Sequence, residues 1–168
     1  MIQHFVGIDP GLTGAIVSLF GDGRLCWAYR TPIITAGKGG REFDLPAMRR
    51  LLIEGKHSPP DDTLVGIEKV HTFPRDGRVG AFNFGRGYGM WLGLLAGLRI
   101  GHIEITPQRW QATLLAGLPR GPHIKVSAVK AAKGLWPNIP IVAKADWGMA
   151  DAALIAEYTR RQFLQTKR

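Results

Sequence analysis

Two short apolar runs, far apart in the chain, end in carboxylates. Val6-Gly7-Ile8-Asp9 recurs as Val65-Gly66-Ile67-Glu68. Side chains alternate along a strand, so each acid shares a face with the glycine two residues before it. Val6, Ile8, Val65 and Ile67 then turn the other way, into a core. If the two strands are neighbours, both acids project from one face, above glycines that leave space. Two adjacent carboxylates do not both stay ionised without a cation, and a hard, oxygen-seeking ion such as Mg²⁺ supplies one. Each acid alone has a plainer use. Asp9-Pro10-Gly11 is good turn chemistry, and Glu68 has Lys69 beside it for an edge ion pair. The shared pattern points to a metal.

A third acid falls within the last apolar-periodic segment. Asp151 has Leu154, Ile155 and Tyr158 at i+3, i+4 and i+7, so it points with the apolar stripe. Ala150, Ala152, Ala153 and Ala156 keep that helix slim enough to approach a sheet. A satisfied core acid is the competing use; a solvated one belongs on the Glu157, Arg160 and Arg161 side. Asp146 stands at the helix start, where N-cap and ligand are equal readings. On a regular helix it lies about 140° from Asp151, and reaches the same site only through an irregular first turn, which Gly148 permits. Two strand acids with helix acids are the parts of a two-ion site for phosphodiester hydrolysis.

The elements that would position these residues follow from turn signals and periodicity. Residues 5–9, 15–20 and 25–30 read as three consecutive antiparallel strands, 31–41 as a loop, and 45–54 as a helix capped by Asp44. A buried strand over 63–70 precedes a polar loop over 71–79. A long helix over 81–98, a strand over 100–106 and a helix from Pro107 with Thr106 as cap come next. Helices over 124–136, with Val126, Val129 and Leu135 as its apolar face, and from 146 or 147 to 164 complete the chain. No linker divides it. The expectation is one α/β domain over 1–168, with a core over about 3–160, a short basic tail and a mixed sheet.

Composition narrows the classes. The chain has 168 residues, 22 Lys plus Arg against 13 Asp plus Glu, and a formal net charge of +9. With 45% hydrophobic residues it is not a disordered basic tail. A folded domain this basic attracts polyanions, nucleic acid above all. The single Cys26 excludes a disulfide scaffold and a cysteine zinc cluster. The sequence shows neither a signal-peptide pattern nor an apolar run long enough for a membrane span, so a cytoplasmic protein with no membrane partner is expected. An actin-like ATPase reading of the Asp-Pro-Gly-Leu-Thr-Gly turn fails on length, and Gly85-x-Gly-x-Gly sits within a helix rather than between strand and helix.

With Gly7-Ile8-Asp9-Pro10-Gly11, Gly66-Ile67-Glu68, Gly85-Arg86-Gly87, Thr106-Pro107-Gln108-Arg109 and residues 146–156 in hand, the sequence resembles the RuvC family of Holliday junction resolvases. It looks closest to the family's phage-borne branch, within the ribonuclease H-like superfamily. The resemblance implies a ribonuclease H-like fold and two Mg²⁺ per site, with Mn²⁺ able to substitute. It also implies four acidic ligands: Asp9, Glu68, Asp146 and Asp151. The family's remaining acid or histidine usually stands three residues before the last aspartate, at Gly148 here, so Asp146 would serve from further away. The family's lysine after the Thr-Pro segment is Gln111 here, with Arg109 as its substitute, and Lys125 looks like the second helix lysine near the cleaved backbone.

A homodimer acting on four-way branched DNA is implied too, since a twofold axis suits paired symmetric nicks. Gly85, Gly89, Gly93 and Gly97 recur every fourth residue of the long helix, and serve close approach either to the protein's own sheet or to a partner helix. Arg75, Arg78, Arg86, Arg109, Lys125 and Lys130 are the expected phosphate contacts. Phe73 is the expected stacking wedge, and Phe82 is expected in the core. Other substrates remain open: different branched DNA, structured RNA, or junction binding without cleavage.

Overall fold

The computed structural model describes residues 2–54, 60–69 and 77–166. Three strands open the chain, β1 (His4–Asp9), β2 (Ala15–Phe20) and β3 (Leu25–Arg30). They are joined antiparallel, as their apolar runs and tight turns require. β4 (Ile33–Ala36) and β5 (Gly40–Phe43) form a separate two-stranded sheet. α1 (Leu45–Glu54) starts where Asp44 Oδ1 accepts from the Ala47 N–H at 2.9 Å. β6 (Thr63–Glu68), α2 (Arg78–Gly97) and β7 (Gly101–Ile105) follow. α3 (Pro107–Leu114), α4 (Ile124–Leu135) and α5 (Trp147–Gln165) complete the described elements.

The main sheet runs β3-β2-β1-β6-β7, with β6 parallel to both β1 and β7. Helices cover both faces. Val6, Ile8, Ile16, Val65 and Ile67 pack against Met48, Leu52, Trp91 and Leu95 of α1 and α2. Val17, Leu19 and Ile105 pack against Trp110, Ala128, Ala132, Leu154 and Ile155 on the opposite face. This is the expected α/β class with a mixed sheet and ribonuclease H-like order of elements.

Four local expectations fail. The loop expected over 31–41 contains most of the β4–β5 hairpin; glycine and proline there mark a turn between strands and their entry. α2 begins at Arg78, so the segment expected as loop up to residue 79 gives its end to the helix. α4 buries Ser127, Ala128 and Ala132, while Val126 and Leu135 are 55% and 46% exposed; small residues let it lie close to α5. Phe82, expected in the core, is 67% exposed.

Candidate active site

β1 and β6 pair in register, Gly7 opposite Gly66 and Ile8 opposite Ile67, which sets Asp9 and Glu68 side by side at the strand ends. Their face is the one α5 covers. A Cβ at Gly7 would stand 1.9 Å from the Ala152 carbonyl oxygen, and one at Gly66 2.0 Å from Thr159 Oγ1. The space left by the glycines is therefore filled by the helix itself. That contact delivers Asp151, buried at 3% exposure, toward the strand acids. Glycine on the strands, alanine on the helix and three acids at the end of the seam form one arrangement.

Asp9 is buried and accepts a long hydrogen bond from the Gly11 N–H at 3.4 Å. Burial, then repulsion from Asp151, pushes its carboxyl up to about 6, against the pull of Lys125. Glu68 accepts from the Trp110 indole N–H at 2.9 Å. Burial, then Asp9, pushes it up to about 8. Burial also raises Asp151, although Lys125 opposes this with its charge and a direct hydrogen bond. Burial works against the Lys125 ammonium, but Asp151, Asp9 and Glu68 together hold its pKa above the ordinary lysine value. The three acids and Lys125 thus act on one another as a single cluster.

Asp146 stands apart from them. Its Oδ2 accepts from the N–H groups of Val142 at 3.0 Å and Ala143 at 2.9 Å, and its Oδ1 accepts from Arg30 Nε at 2.6 Å. These bonds hold it below the usual aspartate range despite burial. Its carboxylate closes the turn Lys144–Asp146 before α5 and makes no cap bond to α5 itself, so the structure shows neither the expected helix N-cap bond nor a contact with the other three acids. Glu157, expected on the solvated side of α5, is buried and held by Arg160 at 2.8 Å and Arg161 at 2.7 Å.

The expected DNA contacts divide. Arg78, Arg109 and Lys130 are exposed, whereas Arg86 is drawn to Glu42 at 3.4 Å and lies 6.0 Å over the Phe43 ring. Phe73 and Arg75 lie outside the described residues. Thr106 caps α3 through its carbonyl, which accepts from the Arg109 N–H at 3.0 Å, and not through its hydroxyl. Three site features escaped the sequence. Trp110 and Arg30 belonged to none of the motifs, and the close approach of Gly148 to Asp9 required the helix docking angle. A tryptophan one turn into the helix after Thr106-Pro107 was the available signal for the first.

The donors present, three carboxylates and no softer atom, suit a hard divalent ion. Burial is the first cause that raises all three carboxyls, with repulsion between acids adding to it at Asp9 and Glu68, and a bound cation would favour their ionised forms. Among the described residues no three His, Cys, Asp or Glu side chains already converge as a preformed ligand set.

No protein-family profile and no curated protein sequence matches this chain. Solved structures do. The chain is similar to Thermus thermophilus RuvC in complex with a Holliday junction substrate, with a TM-score of 0.64 and 14% identity over 97% of this chain and 96% of that one. It is also similar to a second Thermus thermophilus RuvC structure, with a TM-score of 0.57 and 18% identity over 98% and 96%. The likeness is to the RuvC-type, ribonuclease H-like fold along its whole length, and to no particular branch of it.

Proposed function

We propose that this chain is a divalent-metal-dependent endonuclease of RuvC type that resolves four-way DNA junctions by paired nicks. The observation that carries the reading is that β1, β6 and α5 bring Asp9, Glu68 and Asp151 to one end of the glycine seam of a RuvC-type fold, close enough for their charges to act on one another. Asp9, Glu68 and Asp151 would hold Mg²⁺, or Mn²⁺ in its place. Bound there, the ion would lower the pKa of a water and stabilise charge on the phosphate.

Hydrolysis joins a water oxygen to phosphorus and breaks the bond to O3′, leaving a 5′-phosphate and a 3′-hydroxyl. The carboxylates supply negative charge that selects a cation over bulk water. Lys125 offers a fixed positive charge to the phosphate oxygens. Arg78, Arg109 and Lys130 anchor the flanking backbone. Phe82, exposed near the start of α2, offers a surface on which an unpaired base can stack.

A homodimer fits this reading. Among the described residues nothing lies within 4 Å of a Cβ built at Gly85, Gly89, Gly93 or Gly97, so the main sheet does not use the stripe for close approach, and a partner helix could. Mapping cut sites on a synthetic four-way junction tests the function. Symmetric nicks in two strands of like polarity are expected. Single unpaired cuts, equal activity on linear duplex, or binding without cleavage would overturn it.

A further inference from the structure

The acids at the seam differ in how firmly they are held. Asp9 and Asp151 are short, buried side chains. Glu68 is only half-buried and has one more rotatable bond than either aspartate, so its carboxylate has the most freedom to lose. Its backbone is already fixed. β6 pairs with β7 as far as Glu68 opposite Ile105, and the Lys69 N–H donates to the Ile105 carbonyl at 2.8 Å. That leaves the side chain, and Trp110 holds it: the indole Nε1–H donates to Glu68 Oε1 at 2.9 Å. We propose that Trp110 is a positioning residue of the site, which on the nuclease reading above presents Glu68 to the divalent ion.

The local chain path supports the role. β7 ends at Ile105, beside Glu68, and α3 starts at Pro107, whose ring presets the first helical turn. The Arg109 N–H closes that turn on the Thr106 carbonyl at 3.0 Å. Trp110 therefore leaves α3 one turn beyond the strand that Glu68 pairs with. It is the buried residue of α3, 1% exposed, in the core cluster with Ile105, Leu115 and Ile155. A packed ring with two rotatable bonds is a rigid anchor, and its N–H is a donor only, so it cannot exchange roles with the carboxylate. Held at Oε1, Glu68 keeps Oε2 for the ion. Partners that hold a ligand rather than the metal typically change metal affinity about 10–100-fold. Burial alone does not select tryptophan here: phenylalanine fills a core as well but leaves the carboxylate without its donor.

The test replaces Trp110 by Phe and, to keep the bicycle, by benzothienylalanine, in which sulfur stands where the N–H was. Each full chain is titrated with Mn²⁺ by calorimetry in the absence of DNA. Both replacements are expected to keep native circular dichroism and to bind Mn²⁺ about tenfold more weakly or worse. The Mg²⁺ concentration that half-saturates junction cutting should rise by a similar factor. In the unaltered chain, the indole N–H resonance that Trp110→Phe removes should move as Mg²⁺ is added. Unchanged Mn²⁺ affinity in the natively folded benzothienyl chain, or an indole resonance that ignores Mg²⁺ at full occupancy, would overturn the proposal. Failure of the nuclease reading looks different and takes the proposal with it: the unaltered chain would bind no Mn²⁺, or would bind it equally well after Asp9→Asn.

Discussion

Asp9 and Asp146 are both buried aspartates, yet they are opposites. Asp9 has one long hydrogen bond and two acidic neighbours; Asp146 has two backbone donors and an arginine. Asp9→Asn should therefore abolish junction cutting, retain junction binding, and leave thermal stability equal or higher. Asp146→Ala should do the reverse. It strips buried N–H groups of their acceptor, which costs about 1–3 kcal/mol, while folded protein still cuts. Urea denaturation beside a cleavage assay separates the two. If Asp146→Ala folded normally and failed to cut, Asp146 would belong with the ligands after all. A pH experiment uses the same asymmetry. Asp9 and Glu68, at about 6 and about 8, bind protons more tightly folded than unfolded. Their contribution to stability is full below the ordinary carboxylate range and is lost as pH rises through those values. Metal-free protein should melt progressively lower from pH 5 to 8.5. Added Mg²⁺ should raise the melting temperature most at the alkaline end, and Glu68→Gln should flatten the metal-free slope. A melting temperature that rose with pH in metal-free buffer would contradict the buried acid cluster.

At the scale of elements, the seam between α5 and the strands decides whether the acids meet at all. Gly7→Ala and Gly66→Ala place a methyl group against Ala152 backbone and Thr159 Oγ1 respectively. Overpacking typically costs about 1–3 kcal/mol. Gly7→Ala should lie at or above the top of that range because a helix backbone cannot rotate away; Gly66→Ala should cost less. Denaturation midpoints of the two variants check the order. The seam also shows what the sequence reveals and what it hides. The Val-Gly-Ile-acid pair was legible because strand alternation is local, and it named the shared face before any pairing was known. What occupied the space above the glycines was not legible, since the docking of α5 is a long-range fact. The exposed side of α4 was misread for a related reason. Burial follows distance of approach, and an approach through Ser127, Ala128 and Ala132 leaves the larger Val126 and Leu135 outside. The hairpin of β4 and β5 was lost because its residues between Thr31 and Arg41 carry a turn's composition, and the four-residue strands are too short to show alternation.

For the whole molecule the open question is how two copies would meet, and the glycine stripe of α2 makes it answerable. In an isolated chain each of Gly85, Gly89, Gly93 and Gly97 is a defect, weaker than alanine by about 0.8–1 kcal/mol in a helix interior. The described residues offer no internal compensation, because none of them lies within 4 Å of a Cβ at any of the four. Gly89→Ala with Gly93→Ala should therefore stabilise the monomer. If a second α2 packs on the stripe, the same two methyl groups hold the helices apart and weaken the dimer. The expected result is a double variant that unfolds at higher denaturant yet dissociates at higher protein concentration in sedimentation. On a junction its cuts should shift from paired to single, because each chain keeps an intact acid cluster but loses its partner across the twofold axis. Binding should still fall steeply with salt, as phosphate contacts require, since the exposed Arg78, Arg109 and Lys130 belong to each chain separately. A double variant that is more stable and dimerises as before would remove α2 from the interface and leave the stripe without a structural purpose.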